Sequence, residues 1–215
     1  HLTLAEGVAF RIVGAAIVLW FIGVIVLRRK FRLTGPRPLI MGILEPAAVT
    51  FFIMAGVAQT SAVNAAVVWG IMPVTQPLLA RIFLKESIQT PVVVGAVFAV
   101  TGTILLFVTK QQDGTGTLAG DLLLLSAVAS ASINQILART VAKRDQNPLV
   151  TTSYQLLAAS VVALVYLAFN VPAQGVYTEV PMSLTPVMAL LIITTAGPFF
   201  LYNFAFVAFL PCLVV

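Results

Sequence analysis

Met72-Pro-Val-Thr-Gln-Pro-Leu-Leu-Ala-Arg-Ile-Phe-Leu-Lys-Glu86 closes an apolar run that begins near Ala62, and it ends abruptly in charge. A run of about 20 residues is what an α-helix, rising about 1.5 Å per residue, needs to cross a hydrocarbon core of about 30 Å. Arg81, Lys85 and Glu86 mark where such a helix would meet water. Outward from this segment, comparable runs recur along the whole chain: Val8 to Leu27, Leu39 to Ala58, Ala62 to Phe83, Val92 to Thr109, Gly120 to Ala138, Leu149 to Phe169, and Leu184 to Ala205. The expected fold is therefore all-α, a polytopic membrane helix bundle with about seven spans. The Gln59-Thr-Ser61 boundary is the least marked. It must act as a tight polar turn within a nearly continuous apolar stretch.

Composition agrees. The chain is 60% hydrophobic and 9% charged, whereas soluble domains are about one quarter charged. The net charge of +5 does not indicate nucleic acid, because no solvated domain exists to carry a basic face. The charge instead sorts by connection. Arg28, Arg29, Lys30, Arg32 and Arg37 lie in the first, Arg81 and Lys85 in the third, and Arg139, Lys143 and Arg144 in the fifth. The intervening connections carry only Lys110. Basic loops stay cytoplasmic, so the odd connections face inward and His1 faces outward. A single cysteine, Cys212, and a single histidine, His1, exclude an internal disulfide and argue against a metal site. The first apolar segment ends in a basic cluster and is followed by further spans, so it is not a cleavable signal. A chain opening on His1 and stopping at Val215 inside an apolar run reads as a piece of a longer protein.

Two internal echoes point to a repeat. Phe10-Arg-Ile-Val-Gly-Ala-Ala-Ile-Val-Leu19 matches Tyr154-Gln-Leu-Leu-Ala-Ala-Ser-Val-Val-Ala163 in aromatic, polar and small positions, and Glu45-Pro46 with Phe51-Phe52 is echoed by Gly197-Pro198-Phe-Phe200. Either could be chance similarity between apolar helices. Both imply a shift of five spans, and an odd shift reverses orientation, giving two inverted-topology repeats as in many secondary transporters.

Ser61-Ala-Val-Asn-Ala-Ala-Val67, Met72-Pro-Val74, Leu84-Lys-Glu86 and Val94-Gly-Ala-Val-Phe-Ala-Val-Thr-Gly-Thr103, in that order, resemble the first repeat of EamA-like proteins of the drug/metabolite transporter superfamily. Leu118-Ala-Gly-Asp-Leu-Leu-Leu-Leu-Ser-Ala127 resembles the opening of their second. The resemblance implies ten spans in two inverted halves with both termini cytoplasmic, of which the second to eighth are present here. It divides the chain into a first repeat over 1–109, an external linker over 110–117 and a second repeat over 118–215. It also implies a non-enzymatic, cofactor-free, multi-pass protein of the cell membrane that exports a small metabolite or drug-like solute by alternating access. A homodimer is left open.

Ionisable groups within spans cost about 2.5 to 3.5 kcal/mol at mid-membrane and need a reason. Glu45 lies about 10 Å from the cytoplasmic end of its helix and could gate or carry a proton; pairing with a cytoplasmic Arg or Lys is the plainer alternative. Arg11 could attract an anionic group or snorkel to the headgroups. Phe52, Gly56 and Gln59 continue the helical face of Glu45 as a potential cavity lining. Trp69 and Gln76 share a face with Pro73, and Tyr202 with Asn203 follows Gly197-Pro198. Such aromatic and amide groups beside broken helices suit a substrate pathway, though packing would also explain them. Ser126, Ser130 and Asn134 form a polar stripe with Ala127 and Ala131, suited to helix contact or to substrate. Gly95, Ala99 and Gly102 read as a close helix contact. Pro46, Pro73, Pro77 and Pro198 are the expected hinges, with a kink at the Pro73/Pro77 pair.

No GxxxxGK[ST] is present, so ATP drive within this chain is not expected. Two rival classes remain. A seven-helix receptor fits the visible span number but lacks a span lysine for a retinal Schiff base, and an intramembrane enzyme would need a carboxylate pair, His-metal or Ser-His arrangement that no span contains.

Overall fold

Apolar helices that show no polar stripe must find their polar backbone partners internally, and in the computed structural model nearly every described residue is helical. The structure describes residues 4–26, 28, 35–109, 117–143, 147–169 and 185–213. The helices are α1 (Leu4–Phe21), α2 (Arg37–Gly42), α3 (Val49–Val57), α4 (Ala62–Trp69), α5 (Met72–Leu84), α6 (Thr90–Thr109), α7 (Leu118–Ala142), α8 (Pro148–Phe169) and α9 (Thr185–Leu213). Among the described residues there is no strand. Six stretches are long and apolar enough to span a bilayer, and the seventh expected span is represented by the shorter apolar stretch Thr90–Leu105 of α6. Of the basic residues that orient the chain, Arg29, Lys30, Arg32, Lys110 and Arg144 lie outside the described residues, as do His1 and most of the 110–117 linker.

The chain forms two compact units. One comprises His1–Ala47 with Ala138–Val215, and the other Ala48–Leu137. In the first, α1 packs along α8 through Ala9, Ile12, Ala15, Ala16 and Leu19 against Leu156, Ala159 and Ala163. Small side chains permit that approach without a hydrophobic drive from water, and dispersion between close surfaces replaces it. Ser160 Oγ donates to Leu156 O at 2.7 Å within α8. The opposite surface of α1, with Ile17 and Phe21, is exposed, as a lipid-facing surface should be.

The second unit explains the Gln59-Thr-Ser61 turn. Helix α3 ends at Ala58, and Ser61 caps α4 by accepting from Asn64 N at 3.1 Å. Thr60 Oγ1 donates to Asp121 Oδ1 at 3.0 Å, and Thr117 N donates to Gln59 O at 3.0 Å. The turn is thus tied to the first turn of α7. Gly120 is required there, since a Cβ would lie 2.9 Å from the Gln59 carbonyl carbon. The core of this unit gathers Val68, Leu124 and Val128, with Trp69 and Met72 against them.

The structure corrects several sequence expectations. The break in the third span falls at Gly70-Ile71, between α4 and α5, and not at the proline pair. Pro73 occupies the first turn of α5, where a missing N–H is harmless, and α5 continues through Pro77. Helix α9 likewise continues through Gly197-Pro198 without a break. Glu45 is non-helical (φ −146°, ψ 121°), and a wider π-type turn over Ile43–Ala48 accommodates Pro46, so no single helical face runs from Glu45 through Phe52 to Gln59. Gly95 and Gly102 are exposed with open space around them; the close approach on α6 is made at Thr103, opposite Gly70. Helix α5 ends on Lys85 in the left-handed conformation (φ 56°, ψ 29°), followed by Glu86 N donating to Ala80 O at 3.5 Å.

Candidate functional site

Within the first unit, the interruption at Glu45-Pro46 removes a residue from the helical ladder and so frees its carbonyl. Gln155 Nε2 of α8 donates to Glu45 O at 2.9 Å. This bond holds the interrupted turn of the second span against α8. It is possible because Gly42 lies flush on α8: a Cβ there would overlap Gln155 O.

Gln155 is itself fixed by α9. Asn203 Nδ2 lies 3.0 Å from Gln155 Oε1, 3.0 Å from Thr152 Oγ1 and 3.0 Å from Phe199 O. Gln155, Thr152 and Asn203 are all buried, so the network operates at low dielectric, where each satisfied bond is strong and each broken one is costly. The neighbouring turn of α8 is clamped from α1, where Trp20 Nε1 donates to Ser153 O at 3.3 Å and the Trp20 ring meets Tyr154 edge-on at 5.6 Å. Three helices thereby position a short segment of α8.

Beside this network lies a cavity of about 260 Å³ lined by Glu45, Pro198, Phe199 and Tyr202. Tyr202 packs edge-on against Phe206 at 4.7 Å, and Arg139 stands 5.8 Å from the Phe206 ring centroid. The Tyr202 hydroxyl is buried without a hydrogen-bond partner among the described residues. Asn203 and Thr151 also border a second void of about 10 Å³, room for a single water. Among the described residues no group of three His, Cys, Asp or Glu could hold a metal ion.

Of the residues selected from sequence, Glu45, Pro198, Tyr202 and Asn203 come together here. Pro46 is buried next to Glu45. Arg11 is half-buried on α1 and is not among the residues lining the cavity. Phe52, Trp69, Gln76 and Asn134 belong to the second unit. There Trp69 packs on the core, Phe52 meets Phe51 edge-on at 5.8 Å, Gln76 is half-buried and Asn134 is fully buried. The alanines flanking the Ser126/Ser130/Asn134 stripe, Ala127 and Ala131, are buried, as helix contact requires, while Ser126 turns its hydroxyl back to Leu122 O at 2.9 Å. Sequence reasoning missed Thr152, Gln155 and Phe199. The signal was present in Thr151-Thr-Ser153 and Gln155, a polar cluster inside an otherwise apolar span.

Six helices long and apolar enough to cross a bilayer define a multi-pass helical membrane protein, with one span interrupted at a carboxylate that lines a cavity. Residues 3–108 match the EamA-like transporter family. It is also similar to the Uncharacterized transporter YyaM of Bacillus subtilis (strain 168), with 28% identity over 150 residues, covering 68% of this chain. The chain spans 46% of the length of that curated relative. No solved structure matches.

Proposed function

We propose that the full-length protein is a secondary transporter that moves a small metabolite or drug-like solute by alternating access, outward, with Glu45 carrying a coupled proton. The observation that supports this most directly is the position of Glu45. It is an ionisable residue in a membrane-length segment, at a helix interruption, lining a cavity of about 260 Å³ with aromatic walls. A carboxylate in a span is costly and is retained where it handles an ion or a polar solute. Interrupted helices supply backbone polar groups at transporter sites, and Glu45 O is such a group. The outward direction follows from family resemblance.

The same proposal includes the division into inverted repeats over 1–109 and 118–215, joined by an external linker over 110–117. Its support is the alternation of basic loops and the convergence of two equivalent dipeptides: Glu45-Pro46 and Gly197-Pro198 each contribute a residue to one cavity. Arg11, Phe52, Trp69, Gln76 and Asn134 complete the proposed pathway, and Pro46, Pro73, Pro77 and Pro198 its hinges. Of these prolines, Pro46 coincides with an interruption of the helix. The test is solute flux in vesicles containing full-length protein, with and without a pH gradient, for wild type and Glu45→Gln. Flux that responds to the gradient in wild type and not in the variant is expected. Unchanged flux and unchanged pH dependence in Glu45→Gln would refute proton carriage by this residue.

A further inference from the structure

We infer that the cavity takes a small neutral molecule with one flat apolar ring and a hydrogen-bond acceptor such as a carbonyl, and that the Tyr202 hydroxyl is the donor that selects it. The inference rests on the transport reading above and names the solute class for the same site.

Buried hydroxyls are nearly always hydrogen-bonded, because the hydration they lose is otherwise uncompensated. The Tyr202 hydroxyl departs from that rule. It is buried and has no partner among the described residues, although Tyr202 lines a cavity of about 260 Å³. Its surroundings are well anchored. The Tyr202 ring packs edge-on against Phe206 at 4.7 Å. The next residue, Asn203, is pinned to Thr152 Oγ1, Gln155 Oε1 and Phe199 O at 3.0 Å each. The hydroxyl is thus held by groups that do not satisfy it, and a polar group fixed in the wall of an apolar cavity is what orients a ligand there.

The rest of the described lining sets the ligand's charge and shape. Pro198 has no N–H and Phe199 has no polar side-chain atom, while the Phe199 carbonyl already accepts from Asn203. Glu45 has an interaction partner of its own, so no ligand is needed to balance its charge. A charged ligand would leave water without a dedicated counter-ion, which is costly, and a neutral one avoids that cost. A phenol donates one hydrogen bond, and ring conjugation weakens its oxygen as an acceptor, so the complementary group is an acceptor. Phe199 and the Tyr202 ring offer walls against which a flat ring packs edge-on or offset. The volume, about 260 Å³, is below the roughly 300–1,000 Å³ of pockets for drug-sized molecules, which limits the ligand to a single ring. A site with an unpaired buried donor discriminates between two molecules of one shape when only one of them carries an acceptor.

The probes are acetophenone, its isostere α-methylstyrene, in which CH2 replaces the carbonyl oxygen, and benzoate and benzylamine, which place a charge on the same ring. Binding to purified full-length protein is measured by calorimetry in one detergent at neutral pH, for wild type and Tyr202→Phe. Partition of a probe into micelles then cancels between the two proteins. Acetophenone is expected to bind wild type at least about fivefold more tightly than Tyr202→Phe, the low end for pairing a buried unsatisfied group. α-Methylstyrene is expected to bind both proteins equally, and the two charged probes to bind wild type more weakly than acetophenone does. Tyr202→Phe removes no hydrogen bond, so its unfolding temperature is expected to equal or exceed that of wild type. A lower unfolding temperature shows that the hydroxyl has a structural role and overturns the inference. Acetophenone affinity unchanged by Tyr202→Phe, no acetophenone binding, or equal or tighter binding of either charged probe overturns it as well. Any of these results with solute flux in vesicles intact leaves the transport reading standing. Tyr202-dependent binding of acetophenone without gradient-driven flux of any solute class supports the site and defeats the transport reading.

Discussion

Gly42→Ala tests the positioning of the site directly. Gly42 on α2 faces the backbone of α8 at Gln155, the residue whose side chain holds Glu45 O. A Cβ at position 42 would overlap Gln155 O, would sit 2.8 Å from Gln155 C and 3.0 Å from Ala158 Cβ. The carbonyl-carbon distance alone is about 0.6 Å short of ordinary contact, and the obstacle is backbone that cannot rotate aside. The helices must separate by at least that amount. Overpacking of this kind costs about 1–3 kcal/mol. Separation also lengthens the 2.9 Å bond from Gln155 to Glu45 O, so the loss should appear in the site as well as in stability. The assay is thermal unfolding of the full-length protein in detergent, paired with solute flux in vesicles. Gly95→Ala is the control, since nothing lies within 4 Å of a Cβ there and alanine favours a helix by about 0.5–1 kcal/mol. Gly42→Ala should unfold at lower temperature and transport poorly, while Gly95→Ala should equal or exceed wild type. A Gly42→Ala protein as stable and active as wild type would refute the contact and the role assigned to it.

The amide network and the turn clasp allow two further tests. Asn203→Leu leaves Gln155 Oε1 and Thr152 Oγ1 without the donor they share, at a cost of about 1–3 kcal/mol for buried groups so stranded. Combining it with Gln155→Leu should cost less than the two single changes together, with a coupling of at least about 0.5 kcal/mol in a double-mutant cycle of unfolding free energies; strict additivity would show that the two residues act independently. In the second unit, Asp121 Oδ1 accepts from Thr60 at 3.0 Å and from Asn64 at 3.4 Å. Asp121→Asn retains an acceptor and should cost little, whereas Asp121→Ala should destabilise by about 0.5–1.5 kcal/mol in the same unfolding assay. Equal losses in both variants would assign the effect to the carboxylate charge instead of the hydrogen bonds.

The fold class was legible because bilayer physics is one-dimensional. Span length depends on a run of apolar residues, so it can be read along the chain without knowing what touches what. Glu45 was legible for the same reason: a carboxylate in an apolar run is conspicuous wherever it ends up. The turn at Gln59-Thr-Ser61 was legible as a polar interruption, but its tie to Thr117 and Asp121, about sixty residues away in the chain, was not. Proline was a poor guide. Pro73, Pro77 and Pro198 carry the same local signal as Pro46, yet only at Pro46 is the helix interrupted. Whether a proline breaks a helix depends on whether neighbours satisfy the freed carbonyl, and neighbours are a tertiary property.

By itself, then, the sequence determined that this chain is a set of membrane-length apolar helices with a carboxylate worth explaining, because hydropathy acts residue by residue. Only the tertiary structure decided that Glu45 shares a cavity with Phe199 and Tyr202, that Gln155 and Asn203 brace it, and that Gly42 lies flush against the backbone of α8. Those facts depend on which helix faces lie within hydrogen-bonding distance of each other. Apolar helices without a polar stripe do not announce their facing surfaces; close packing and a few buried amides select them.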